Sequence, residues 1–191
     1  MTPVCAFVSG GDFTHKHVQA LARQVPGLVC ITAEHVPDAP TVTPKWQWPG
    51  WWCKMAAYDT DLIHGDVLLL DLDTVVLRMP EMPTVTTVLN DFTRPGHIGS
   101  GLVYATEAER KRLYGIWMQN PDSHMARCTT PQAWGDQGFL EPLLPDAGRW
   151  GTNIVSYKRH CLHGVPDRAD VICFHGKPRP WDIPKFSGLY A

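Results

Sequence analysis

Asp66-Val67-Leu68-Leu69-Leu70-Asp71-Leu72-Asp73-Thr74 contains an uninterrupted apolar run over 67–70, followed by two aspartates separated by one residue. A run of this length fits a strand buried on both faces, as in a parallel sheet covered by helices. Such a strand delivers Asp71 and Asp73 at its carboxyl end, where open α/β sheets bind their ligands. If the chain turns there, both carboxylates can reach one hard cation. Magnesium or manganese takes one or two protein carboxylates and completes its shell with water and phosphate oxygens. A diphosphate is therefore the natural third party. Taken alone, the same pair also fits a plain strand end at which Asp73 caps a turn.

The flanking sequence extends the α/β pattern. Residues 4–8 form a short apolar run that stops at Ser9-Gly10-Gly11. Residues 15–25 carry Val18, Leu21, Ala22 and Val25 at helical spacing, and Pro26-Gly27 ends that helix before a second strand over 28–32. The spacing then predicts a loop over 37–49, a helix over 51–59, and strands over 84–89 and 101–105. A helix capped by Thr106 follows, with Glu107 and Glu109 in its first turn. Beyond Asn120 the period thins to a short helix start at 135–140 and strands at 153–157 and 171–174. No repeat or linker divides the chain, so one domain is expected over residues 1–191.

Composition bounds the function. The 191 residues are 44% hydrophobic, ample for one core, and 19 acidic against 17 basic residues give a formal net charge of -2. No global field draws such a chain to nucleic acid or to an anionic membrane. The opening Met1-Thr2-Pro3-Val4-Cys5 has no basic flank, and no apolar run has the length of a membrane span, so a cytoplasmic protein is expected. Cys5, Cys30 and Cys173 lie inside apolar runs as small hydrophobes, without the pattern of a disulfide framework. His160, Cys161, His163, Cys173 and His175 lack the paired spacing of a zinc site.

With more of the chain in view, Leu68-Leu69-Leu70-Asp71-Leu72-Asp73-Thr74-Val75 resembles the D-x-D region of glycosyltransferases of the GT-A fold, especially glycogenin-like family 8 enzymes and their small bacterial and phage relatives. Further segments are similar to that family in matching order. Gly50-Trp51-Trp52-Cys53-Lys54 resembles its aromatic and lysine segment, Asn90-Asp91-Phe92 an aspartate-bearing loop, and Gly99-Ser100-Gly101-Leu102-Val103 its N-S-G-V segment. Gly135-Asp136-Gln137 resembles G-D-Q, and Ser156-Tyr157-Lys158 resembles S-Y-K. Phe174-His175-Gly176-Lys177-Pro178 with Trp181 resembles a terminal F-H-G-x-x-K-P-W motif. There are two departures. Gly99 stands in place of asparagine, and the terminal motif reads as compressed, which leaves open whether Lys177 or Arg179 takes the phosphate.

The resemblance implies an α/β chain with a mixed central sheet flanked by helices, a Rossmann-like nucleotide-diphospho-sugar transferase. It implies Asp71, Asp73 and His175 as ligands of manganese or magnesium, with Asp71 also near the ribose. Neutral imidazole suits manganese better than magnesium. Lys54 and Lys177 are candidates to counter diphosphate charge, and Gly176 offers an approachable backbone amide. Asp91, Ser100 and Asp136 are placed as polar contacts to the sugar, and Gln137 against its reacting face. Val8, Ser9 and Gly10 are placed against the base and ribose. Trp51, Trp52 and Trp181 either shape the pocket, stack on a sugar, or pack in the core. The implied reaction moves a sugar from a nucleoside diphosphate donor, UDP by resemblance, to an acceptor hydroxyl with retention of configuration.

Two other classes share these residues. Asp71-Leu72-Asp73-Thr74-Val75 also matches the first motif of haloacid dehalogenase-like phosphatases, in which Asp71 would attack phosphorus. Those enzymes need a late acidic pair for magnesium, and the sequence after Val75 shows none, since Asp136 is followed by Gln137. A non-catalytic nucleotide-sugar binder would keep the same donor site without turnover.

Overall fold

The run at 67–70 is a strand whose two faces feed two different cores, as a computed structural model describing residues 1–190 shows. Val67 and Leu69 pack with Trp52, Met55 and Val103, while Leu68 and Leu70 pack with Val18, Leu21 and Leu102. The period of two along a strand turns an unbroken apolar run into two interior surfaces. Truncating Leu68, Leu69 or Leu70 to alanine would leave a void costing about 2–5 kcal/mol per side chain.

The strands in chain order are β1 (Thr2–Ala6), β2 (Val29–Ile31), β3 (Thr41–Val42), β4 (Val67–Leu70), β5 (Thr74–Val76), β6 (Thr87–Asn90), β7 (Ile98–Ala105), β8 (Gly148–Arg149), β9 (Ile154–Ser156) and β10 (Val171–Cys173). Seven of them form a mixed sheet in the order β3-β2-β1-β4-β7-β6-β8, and β5-β10-β9 form a second, smaller sheet. β1 is parallel to both β2 and β4, whereas β7 runs antiparallel to β4 and β6. The chain leaves β1 toward β2 on one side and returns to β4 on the other. The carboxyl ends of β1 and β4 thus meet at a switch point, where a crevice opens.

Helix α1 (His15–Gln24) covers one face; its N-terminal box closes through His17, whose Nδ1 accepts from the Thr14 amide at 2.7 Å. On the other face lie α2 (Glu107–Trp117), α3 (Pro121–Arg127), α4 (Gly135–Leu140) and the segment Gly50–Tyr58. That segment is a 3₁₀ helix, where the sequence predicts an ordinary helix over 51–59. In 3₁₀ geometry side chains three apart eclipse. Trp52, Met55 and Tyr58 accordingly form one buried ridge, while Trp51 and Lys54 form another that lines a cavity. Such a long 3₁₀ run survives because its end is tied down. The buried Arg110 guanidinium donates to the carbonyls of Ala57, Asp59 and Gly65. Among the described residues, no helix is long and apolar enough to cross a membrane.

Candidate active site

A cavity of about 810 Å³ opens at the carboxyl ends of β1 and β4, within the size range of small-molecule sites. Its floor follows from the backbone. The Asp71 amide donates to the Gly101 carbonyl at 3.0 Å, continuing the β4–β7 ladder by one residue, and the Thr74 amide then donates back to the Asp71 carbonyl at 3.1 Å. The resulting turn aims Asp71 and Asp73 into the same cavity. Gly101 leaves room beside them: a Cβ there would sit 3.3 Å from Asp71 Oδ2, and the carboxylate would have to shift to admit it.

Lys54 bridges two acids. Its Nζ lies 2.9 Å from Asp71 Oδ1 and 2.7 Å from Asp136 Oδ2, and all three belong to elements packed on the central sheet. Burial alone would depress the Lys54 ammonium; Asp136 and Asp71 more than reverse that and hold it charged far above its ordinary range. Burial raises Asp136, with Asp71 adding to the effect and Lys54 opposing it. The cluster is closed on itself, so Lys54 orders the two carboxylates as much as it faces the cavity.

Asp73 lies deeper than Asp71, its side chain 6% exposed against 31%. Burial and the neighbouring Asp71 charge push its carboxyl up to about 7, against the pull of Arg179. The Arg179 Nη1 donates to Asp73 Oδ2, its Nη2 reaches Asp12 at 3.3 Å, and the guanidinium stands 5.0 Å from the centre of the Phe13 ring. Its Nε is buried without a partner. Arg179 therefore lines the cavity with one of its guanidinium donors unbonded and closed off from the surface.

Asp91 also lines the cavity, but its oxygens are engaged. Oδ1 accepts from the Thr93 amide and hydroxyl and from the Arg94 amide, and Oδ2 accepts from Arg94 Nε and, at 3.3 Å, from Gln137 Nε2. Burial would raise the Asp91 carboxyl, yet the bonds from Thr93 and Arg94 hold it well below the usual range. A carboxylate so saturated orients Gln137 more readily than it binds a sugar hydroxyl.

His175 reaches the cavity with a ring already occupied. Its Nε2 shares a hydrogen bond of 2.7 Å with the Ser156 hydroxyl, and the ring stacks on Phe92 at 5.7 Å. Lys158 Nζ donates to the His175 carbonyl at 2.6 Å. The Ser156-Tyr157-Lys158 segment thus fixes the loop after β10. Burial, with Lys158 nearby, lowers the imidazole, which keeps it neutral near pH 7. Cys53 and Cys173 also face the cavity; burial drives Cys53 up to about 12 and Cys173 higher still, so neither is a thiolate nucleophile.

Val8, Ser9, Gly10, Lys54, Asp71, Asp73, Asp91, Ser100, Asp136, Gln137, His175 and Gly176 all come together around this cavity. Lys177 and Trp181 do not. The chain turns at Gly176 with φ +76 and leaves Lys177 exposed, while Trp181 packs against His17, Phe13 and Tyr190. Of the two basic residues left open for the phosphate, Arg179 lines the cavity and Lys177 does not. The terminal motif is consequently not compressed: with Lys177 and Pro178 as its two intervening residues, Arg179 falls in the basic place, and this count was the signal for it. Asp12, Phe13 and Trp134 are further lining residues with no recognisable signature in sequence.

The implied metal is testable against these groups. Asp71 and Asp73 offer hard oxygen ligands, and the crowding that lifts Asp73 is what a cation between two carboxylates would relieve. His175 does not join them: among the described residues no three His, Cys, Asp or Glu side chains are grouped closely enough to hold a metal ion. The donor set fits a magnesium-like cation that draws its other ligands from phosphate and water. The phosphatase reading fares worse, because the two later acids at the cavity are already engaged, Asp91 by Thr93 and Arg94 and Asp136 by Lys54.

Compared as a sequence, the chain matches no protein-family model and no curated protein. Compared as a structure, it has the fold of GT-A-type glycosyltransferases. It is similar to the galactosyltransferase LgtC in complex with donor and acceptor sugar analogues, with a TM-score of 0.61 and 10% identity over 100% of this chain and 95% of that one. An active-site mutant of LgtC superposes with a TM-score of 0.63 at 10% identity, over 99% of this chain and 95% of that one. The glycosyltransferase GlyE of Streptococcus pneumoniae TIGR4 gives a TM-score of 0.59 at 12% identity over 95% of this chain. The chain spans 56% of GlyE's length.

Proposed function

We propose that the protein transfers a glycosyl group from a nucleoside diphosphate sugar, UDP-linked by resemblance, to an acceptor hydroxyl. The observation that carries this is the meeting of two carboxylates, a partly unsatisfied guanidinium and a glycine-edged strand end in one cavity of a glycosyltransferase fold. Ser9 and Gly10 at the end of β1 face the base and ribose. Asp71 and Asp73 would hold a manganese or magnesium ion, which when bound neutralises charge on the departing diphosphate. Arg179 supplies a second cation to the same phosphates, as a bidentate fork suited to their oxygens.

Asp136 and Gln137 form the other wall. Lys54 fixes Asp136 and Asp91 holds Gln137, so both polar groups are oriented before a ligand arrives. LgtC has been solved as an active-site glutamine-to-glutamate mutant, and Gln137 is the glutamine that lines this cavity. No side chain is needed as a strong nucleophile; the reaction asks for stabilisation of the leaving group and orientation of the acceptor. Retention of configuration follows from the family resemblance.

A thermal-shift screen of nucleoside diphosphates and their sugars, with and without manganese, tests the donor site. UDP and UDP-sugars should raise the melting temperature with ligand concentration, and manganese should enhance the effect. If no nucleotide shifts the transition, the donor reading fails. Phosphate release from small phosphomonoesters, abolished by Asp71→Asn, would instead establish the phosphatase. Tight UDP-sugar binding with the donor left intact at every acceptor tried would establish a binder.

A further inference from the structure

Two large aromatic side chains stand exposed at the cavity mouth. Trp51 is 47% exposed and Trp134 is 53% exposed, and both line the cavity. Their rings lie 5.6 Å apart at 46°, which makes a tilted platform. Exposed indoles are costly ornaments for a soluble surface, and here neither is loosely held. Gly135, with φ +60, lies under Trp51 so closely that a Cβ there would come within 2.9 Å of the indole nitrogen. The backbone carrying Trp134 is held by its bridge to Thr129 and by the bond from the Gly135 amide to the Cys128 carbonyl, and the loop before it by Arg94, which donates to the Pro131 carbonyl at 3.2 Å.

The platform is also in register with the reacting end. Trp51 eclipses Lys54 one 3₁₀ turn away, and Trp134 caps α4 immediately before Gly135, Asp136 and Gln137. The two segments that supply the Lys54–Asp136 pair therefore supply the two indoles. Trp52, by contrast, is buried in the core.

We infer that Trp51 and Trp134 form the acceptor subsite and that the acceptor is a pyranose of a glycan, stacked by its C–H face on the indoles. This rests on the glycosyltransferase reading of the cavity. Pyranose C–H groups carry partial positive charge and complement the negative indole face, while the hydroxyl rim needs acceptors such as those of Asp136 and Gln137. An intercalated aromatic ring would need roughly 7 Å between parallel faces, two layers of about 3.5 Å, and the pair is closer and tilted. A nucleic-acid acceptor would bring phosphates toward Asp136.

The test is a tryptophan-fluorescence titration of the whole chain with lactose, maltose, cellobiose and chitobiose, run with UDP and manganese and again without them. At least one disaccharide should give a saturating change. Trp134→Ala and Trp51→Ala should each weaken it about tenfold while the thermal shift produced by UDP persists. Binding by none of the four sugars overturns the inference. So does undiminished sugar binding in both variants, or equal affinity for 4-nitrophenol, an aromatic without a pyranose. Failure of UDP to shift the wild-type transition would instead sink the donor reading, and the nucleotide-free titration would still decide the platform.

Discussion

The cavity has two cationic corners built on opposite plans. Lys54 comes from a helix packed on the central sheet and meets two carboxylates at 2.9 and 2.7 Å. Arg179 comes from the segment after β10, crosses to Asp73 over a separation of 106 residues, and retains a buried Nε with no partner. The first corner is complete without a ligand. The second has a donor to spare. A saturated ion cluster holds geometry, whereas an unsatisfied one has free energy to gain from an incoming anion. The proposed donor phosphates belong at the Arg179 corner, and the Lys54 corner fixes the wall they face.

Removing each cation breaks the comparison in a different currency. Lys54→Ala leaves Asp71 and Asp136 confronting each other where Asp136 is buried, and should destabilise the fold by about 3–5 kcal/mol, measured by urea unfolding. A loss below about 1 kcal/mol would show the cluster to be ornamental. Arg179→Ala should act chiefly on binding, weakening UDP about 10- to 100-fold by calorimetry. Arg179→Lys should recover part of that loss, because an ammonium supplies the charge without the fork. If Arg179→Ala leaves UDP affinity unchanged, the two corners are not divided as described.

Protonation sharpens the contrast further. Asp73 is pushed up to about 7 in the folded state, above the ordinary value of about 3.9. The native state thus keeps a proton that the unfolded chain releases, and the resulting stability is present below about pH 4 and lost as pH rises to about 7. In metal-free buffer the melting temperature of wild type relative to Asp73→Asn should fall across that window. A rise would mean that the Arg179 charge outweighs burial and Asp71. The smallest effect is expected at Lys177: Lys177→Ala should change stability by less than about 0.5 kcal/mol and leave UDP affinity unaltered.

Much of the fold was legible because its signals are local. The apolar run at 67–70 became β4 within those bounds, and Thr106 caps α2 by accepting from the Glu109 amide. Several short elements escaped, among them β3 inside the predicted loop over 37–49 and β8, and two did so for opposite reasons. Helix α3 carries a readable start, an Asn120 cap with Pro121 behind it, but it buries no residue and so shows no apolar period. Strand β5 is three residues long and exists because β10 pairs with it antiparallel. The 3₁₀ character of Gly50–Tyr58 was equally hidden, since it depends on Arg110 binding the carbonyls at its end.

The site divides along the same line. Sequence by itself determined the strand end with Asp71 and Asp73 and the helix start at Gly135-Asp136-Gln137, because adjacent residues share one backbone and their spacing is read directly. Tertiary structure alone decided that Lys54 bridges Asp71 and Asp136, that Gln137 donates to Asp91, and that Trp51 meets Trp134. It also brought Arg179 rather than Lys177 to the cavity and kept His175 on Ser156, outside a three-residue metal cluster. Each of those outcomes joins residues far apart in the chain, and their distance is set by how two sheets and their helices pack, which no local pattern encodes. The aspartate pair was visible from the start; what balances its charge was not.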